Sequence, residues 1–175
     1  MNTTSQFSLR DARDDERAAI QALTLAAYAE YATIMAPPAW GALRQALLAG
    51  LEAEGAVERI VAAQAGALIG SVLLYSPTAN AYGAAVTGAG WPELRLLAVA
   101  AAARGQGVGT ALVEECRRRA RQAGARALGL HSSESLQSAI RMYERMGFVR
   151  APAGDFQPSG AELVMAYRLP LEGGE

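Results

Sequence analysis

Glycine stands at every second position of Gly105-Gln106-Gly107-Val108-Gly109, and this segment constrains the chain more than any other. An apolar, strand-like run (Leu94 to Val99) precedes it, and a helical pattern (Val108 to Ala123) follows it. Residues without a Cβ let neighbouring backbone N–H groups converge. A helix start leaves those groups without partners at the positive end of its dipole. The stretch Arg104 to Thr110 therefore reads as an anion-binding turn between a strand and a helix, with phosphate as the expected anion. A P-loop needs a lysine after its last glycine; Thr110 stands there, and the chain contains no lysine. A dinucleotide fingerprint needs Gly-x-Gly-x-x-Gly and an acid about 20 residues on. Here the spacing is Gly-x-Gly-x-Gly, and residues 125–133 hold no acid.

A second segment, Ser138 to Phe148, has the pattern of an amphipathic helix. Ala139, Met142, Tyr143 and Met146 recur at i, i+3, i+4 and i+7 and share one face. Gly147 suits a helix-ending residue with positive φ, and Phe148-Val149 restarts as a strand.

Arg104, Gly107 and Gly109 spell Arg-x-x-Gly-x-Gly, and Ala139, Tyr143, Gly147 and Phe148 spell Ala-x-x-x-Tyr-x-x-x-Gly-Phe. In this order, with one short strand between them, the two patterns resemble the signatures of the GCN5-related N-acetyltransferases (GNAT). The resemblance covers residues 93–148 well, and residues 1–75 only in the order of elements. It implies an α/β fold of one domain, with a mixed, mostly antiparallel sheet flanked by helices. It also implies acetyl-coenzyme A as co-substrate, and direct attack on its thioester by a primary amine of a small molecule or peptide. Such a reaction needs a base for the amine proton, a donor for the oxyanion and an acid for the leaving thiolate.

The resemblance assigns these roles residue by residue. Arg104, Gly105, Gln106, Gly107, Val108, Gly109 and Thr110 form the pyrophosphate loop. Leu97, Ala98 and Val99 match the strand whose backbone pairs with pantetheine, and the Leu97 N–H is the oxyanion candidate. Tyr143 matches the tyrosine that faces the coenzyme sulfur. Glu93 and His131 are the two candidate bases, since some members place a glutamate near the first position and others near the second. Imidazole titrates close enough to neutrality to accept an ammonium proton. On an ideal strand Glu93 lies about 13 Å from Leu97, so it needs a water or a strand bulge to serve the amine, or it is a strand-end carboxylate paired with Arg95. Leu136 stands where many members carry an asparagine that contacts the coenzyme. Two other readings stay open: an acyl-coenzyme A-binding module without chemistry, and transfer of another acyl group or to oxygen.

The apolar share is 51% and the net charge −1, values of a folded, globular chain with no footprint for nucleic acid. No apolar run reaches the length of a membrane span, and no secretory signal is visible at the N-terminus. A cytoplasmic monomer or homodimer is expected. Cys116 is the lone cysteine and falls on the buried stripe Val108, Ala111, Leu112, Cys116 and Ala120, so it is unsuited as a nucleophile. Arg117, Arg118, Arg119 and Arg121 fall mostly on the solvated face of that helix.

The remaining elements are a strand over 7–12, and a helix introduced by Asp14 and Asp15 with a stripe Ile20, Leu23, Ala27, Tyr31 and Ile34. Ala36-Pro37-Pro38 breaks it, and a second helix runs from about 39 to 51. A hairpin over 59–75 turns at Ala65-Gly66. A loop over 77–91, a strand over 127–132 and strands near 148–150 and 163–169 complete the domain, with residues 1–6 and 171–175 fraying. Tyr28, Tyr31, Met35, Pro37 and Trp40 cluster at the helix break, a region that often walls the acceptor pocket in the family.

Overall fold

The computed structural model describes residues 6–78 and 90–171. Most of the loop expected over 77–91, and most of the two termini expected to fray, lie outside the described residues. Seven strands form one sheet: β1 (Ser8–Asp11), β2 (Val57–Gln64), β3 (Ala67–Tyr75), β4 (Glu93–Val99), β5 (Ala127–Ser133), β6 (Val149–Arg150) and β7 (Val164–Pro170). Their order is β1-β2-β3-β4-β5-β7-β6. Every pair is antiparallel except β4 with β5. The helices are α1 (Arg17–Tyr28), α2 (Pro37–Leu51), α3 (Val108–Gln122) and α4 (Gln137–Arg145).

Local chemistry accounts for several boundaries. Ala65 (φ 49°) and Gly66 (φ 82°) give the β2–β3 hairpin the two positive-φ residues of a type I′ turn. Pro37 opens α2 at its first position, where its missing N–H has no helical partner to lose. The prolines therefore start the second helix, whereas the first ends well before them, at Tyr28. Asp14 and Asp15 do not cap α1. They sit in a 3-10 turn (Asp14–Glu16), and the Glu16 carboxylate accepts from the Arg13 N–H at 2.8 Å and from the Arg10 guanidinium at 2.7 and 2.8 Å. Ile34 leaves the expected stripe, because α1 ends at Tyr28 and a 3-10 turn (Ala29–Thr33) rotates Ile34 to 62% exposure.

Two helical layers cover the sheet. On the α3/α4 face the core joins Leu94, Val108, Leu112, Val113, Cys116, Leu128, Leu130, Ile140, Tyr143 and Phe148. A smaller cluster of Ile20, Leu51 and Val61, with Leu96 against it, lies under α1 and α2. Arg119 departs from the solvated face expected for its run. Its guanidinium reaches Asp11 of β1 (2.6 Å), Glu58 of β2 and Glu115 of its own helix (2.8 Å), fastening α3 across the sheet edge.

Candidate active site

The strands around the site do not pair along their whole length. β4 and β5 meet in register at one position, Glu93 with Gly129, and then part. On its other side β4 carries a bulge. Ser71 pairs with Ala98 and Leu73 with Arg95, so Leu96 and Leu97 together oppose Val72, and Leu96 takes φ 53°. A bulge re-aims the side chains after it and interrupts the ladder. Here it turns Leu96 towards the α1/α2 cluster while Leu97 packs on the α3/α4 core. The strand irregularity that Glu93 needs to approach Leu97 is thus present, at Leu97 itself.

The glycine loop sits at the N-terminus of the 15-residue α3. Gly105 (φ 75°) and Gly107 (φ 80°) both adopt the left-handed conformation, and no atom lies within 4 Å of where a Cβ would stand on either. The loop therefore presents backbone to open space, as a phosphate cradle requires. Gly109 lies on the inner side of the first turn, 3.4 Å from the Met142 sulfur when a Cβ is placed on it. The Arg104 side chain turns back to α1, pairing with Glu30 (2.8 Å) and donating to the Ala27 carbonyl (3.2 Å). It braces the loop from outside. Gln106 folds onto the Ala102 carbonyl (3.2 Å). Val108 is buried, Ala98 is 3% exposed and Val99 is half-buried.

Glu93 and His131, two separate candidates in the sequence, are in contact. His131 Nδ1 lies 3.2 Å from a Glu93 carboxylate oxygen, and Nε2 donates to the Gly154 carbonyl at 2.9 Å. A carbonyl can only accept, so Nε2 carries a hydrogen. The Nδ1 lone pair of a neutral ring would then face a carboxylate lone pair. Side-chain exposure is 4% for His131 and 14% for Glu93. Arg95, the other partner foreseen for Glu93, lies over the Tyr75 ring at 5.5 Å.

Remote residues hold this pair. A Cβ on Gly129 would stand 2.7 Å from the Trp91 ring nitrogen and 3.1 Å from Glu93 Cγ, and one on Gly154 would stand 2.9 Å from Ala166 Cβ. The loop carrying Gly154 is locked by Asp155. Its carboxylate takes both Arg150 nitrogens (2.6 and 2.8 Å) and the Ala166 N–H (2.8 Å), and the Arg150 hydrogen bond holds its carboxyl below the usual range. Gly70 admits the start of α3, since a Cβ there would meet Val108 at 2.8 Å. Sequence reasoning passed over these three glycines. A single glycine inside a strand pattern is the available signal for Gly70 and Gly129.

A cavity of about 710 Å³ opens on the α1/α2 side of the parting, and Arg95, Leu96, His131 and Ser132 line it from the strands. Its apolar wall comes from α2 through Ala39, Ala42, Leu43, Ala46 and Ala49. Of the helix-break cluster, Tyr28 and Met35 line it, and burial raises the Tyr28 phenol above its usual range, keeping it protonated. Glu162 lines the far side, accepting the Ser135 N–H (3.2 Å) and hydroxyl (2.5 Å). Leu136, at the position of the family's asparagine, is buried and lines the same cavity. Tyr143 is on α4, 6% exposed, its ring edge-on to Phe148 at 5.7 Å. Cys116 is fully buried, which pushes its thiol up to about 12 and leaves it inert. Among the described residues no group of acids, histidines and cysteines could hold a metal ion, and no helix is long and apolar enough to cross a membrane.

A sequence model described as the acetyltransferase (GNAT) family matches residues 23–148. Curated protein sequences give no match. Among solved structures the chain is similar to a GCN5-related N-acetyltransferase from Rhodopseudomonas palustris, with 18% identity, TM-score 0.71, and 98% of this chain and 99% of that one covered. It is also similar to a ribosomal-protein-alanine N-acetyltransferase from Escherichia coli (18%, TM-score 0.66, 97% and 96% covered). A third is a GNAT acetyltransferase from Elizabethkingia anophelis with acetyl-CoA bound (17%, TM-score 0.58, 96% and 100% covered). These likenesses concern the fold.

Proposed function

The chain belongs to the acetyltransferase (GNAT) family, and on that premise we propose that it transfers the acetyl group of acetyl-CoA to a primary amine by direct attack. The observation that carries this reading is the parting of β4 from β5, bridged by the Glu93–His131 pair, with the glycine loop following the end of β4. Acetyl-CoA supplies the activated acyl group as a thioester. The loop Gly105 to Thr110 receives its pyrophosphate through backbone N–H groups at the α3 N-terminus, and the backbone of Leu97 to Val99 lines pantetheine.

The amine enters from the cavity and gives a proton to the Glu93–His131 pair, which replaces two facing lone pairs with a hydrogen bond. Its nitrogen then bonds to the thioester carbon. The charge that develops on the carbonyl oxygen faces the Leu97 N–H at the bulge. As the carbon–sulfur bond breaks, Tyr143 passes its hydroxyl proton to the departing sulfur. The second proton of the nitrogen restores the Tyr143 hydroxyl as the amide forms, amide and free thiol leave, and the pair sheds its proton to solvent.

Gly107→Asp tests the cofactor half of this reading, since it sets a carboxylate where the pyrophosphate should lie. Titration with coenzyme A should show affinity falling about 10- to 100-fold, each tenfold being about 1.4 kcal/mol, with the thermal transition lowered only slightly. A folded wild-type protein with no affinity for coenzyme A overturns the proposal. Acyl transfer to oxygen, or of another acyl group, is distinguished by following thiol release from several acyl-coenzyme A esters with amine and alcohol acceptors.

A further inference from the structure

We infer that the Ser132 hydroxyl holds the acetyl group of the coenzyme, donating a hydrogen bond to the thioester oxygen opposite the Leu97 N–H. This rests on reading the parting of β4 from β5 as the acetyl-CoA site.

Ser132 is buried at 4% exposure, and its hydroxyl is unmet. The other buried polar residues are partnered. Glu16 takes Arg10 and Arg13, and the Thr24 and Ser71 hydroxyls lie 3.5 Å apart. Among the described residues, the Arg117 Nε is the other buried side-chain polar atom without a hydrogen bond. Arg117 stands on α3 and pairs with Glu114 (3.3 Å). Burying a hydroxyl without a partner costs stability, and such a group in a native fold calls for a use.

Strand alternation gives the side chain its direction. Leu128 and Leu130 enter the α3/α4 core, and Ser132 is next in that row. Its partner on β7 is Met165, which packs on the same core. The cavity reaches Ser132 as well, because β4 no longer pairs with β5 beyond Gly129. The register gives the level. Ser132 is three residues beyond Gly129, and Leu96 is three beyond its partner Glu93. The bulge brings Leu97 to the level of Leu96, with the Leu97 side chain on the α3/α4 core. Ser132 and Leu97 thus flank the parting on the face to which Tyr143 belongs.

The chemistry selects the atom. A thioester oxygen only accepts, and it gains negative charge as the amine attacks. A donor fixed beside it therefore stabilises the transition state more than the bound substrate. A serine hydroxyl does this without losing its proton. Free coenzyme A has no acyl carbonyl, so the same hydroxyl favours acetyl-CoA over the product.

The experiment uses acetyl-CoA labelled with 13C at the acetyl carbonyl, without amine, and the variants Ser132→Ala and Ser132→Cys. The second keeps most of the volume and is a weak donor. In infrared difference spectra the carbonyl band should stand at lower frequency in wild type than in either variant. Acetyl-CoA affinity should fall about 3- to 10-fold in the variants, with coenzyme A affinity unchanged. Single-turnover thiol release with an amine should slow about 10²-fold. Melting of the free Ser132→Ala protein should be unchanged or higher, since an unmet hydroxyl is removed. A carbonyl band at one frequency in all three proteins, equal losses for acetyl-CoA and coenzyme A, or a lowered melting temperature of free Ser132→Ala overturns the inference. Those results leave the acetyltransferase reading standing as long as wild type binds coenzyme A. Failure of wild type to bind it removes that reading as well.

Discussion

The two faces of β4 are built differently. Towards α3 and α4, Leu94 and Leu97 enter a close-packed core with Val108, Leu112 and Tyr143, and the proposed coenzyme site at the glycine loop offers backbone. Towards α1 and α2, Arg95 and Leu96 line a cavity together with His131 of β5, and the proposed acceptor site is walled by side chains. On the proposed reading, the difference follows from what each face would recognise. A pyrophosphate and a pantetheine arm are the same for every acyl-coenzyme A, so a rigid backbone cradle on a packed helix suits them. An acceptor differs from enzyme to enzyme, so its wall is made of side chains that can change without disturbing the core.

The largest effect expected from this contrast is at Tyr143, which belongs to the packed face and is proposed to supply chemistry. Tyr143→Phe keeps the ring against Phe148 and should leave the thermal transition nearly unchanged. Loss of the hydroxyl should lower turnover by about 10²- to 10⁴-fold, measured in single-turnover kinetics. A Phe variant at the wild-type rate would remove the acid role and make Tyr143 a core residue like its neighbours.

Next comes the pair on the open face. If Glu93 and His131 act as one proton-holding unit, Glu93→Gln and His131→Gln should each lower turnover by about 10²-fold. The double variant should be little worse than either single one, because groups acting as a unit are not additive. Multiplicative losses would show two independent roles.

Packing itself can be compared directly. Leu112 is fully buried on the α3 face, and Leu43 is a half-buried lining residue of the cavity. Leu112→Ala should cost about 2–5 kcal/mol of stability in urea denaturation, and Leu43→Ala less than about 1 kcal/mol. Equal costs would mean that the cavity wall is as constrained as the core.

The smallest effect lies away from the cleft. The hydrogen bonds from Arg118, with help from Arg119, hold the Glu115 carboxyl at about 2, below its ordinary 4.5. A depressed folded value contributes stability that is present above pH 4.5 and is lost as pH falls towards 2. Glu115→Gln should lower the melting temperature slightly at pH 7, and the gap should close across that acid window. Turnover at saturating substrate should not change, which separates this clamp from both faces of β4.

Much of the packed face was legible in the sequence, because it is written in consecutive residues. The glycine spacing at 105, 107 and 109, the stripe along α3 and the Ala139-to-Phe148 pattern each lie within one element or one turn. Backbone chemistry and helical period are local properties. The strands over 93–99 and 163–169 and the Ala65-Gly66 turn were legible for the same reason. Helix α1 was read too long, because its apolar stripe continues through Ile34 while the chain has already tightened into a 3-10 turn at Ala29.

The sequence by itself determined the two motif helices, the glycine loop and the family they belong to. Only the tertiary structure decided that Glu93 and His131 are in contact, that Gly154 holds the imidazole, and that Arg95 shares a cavity with α2. Those residues come from segments 23 to 61 positions apart in the chain, joined by one parallel pairing at Glu93 and Gly129 and by the Asp155 lock. Contacts of that range depend on strand order and on where a sheet opens, and no local period or spacing encodes either one.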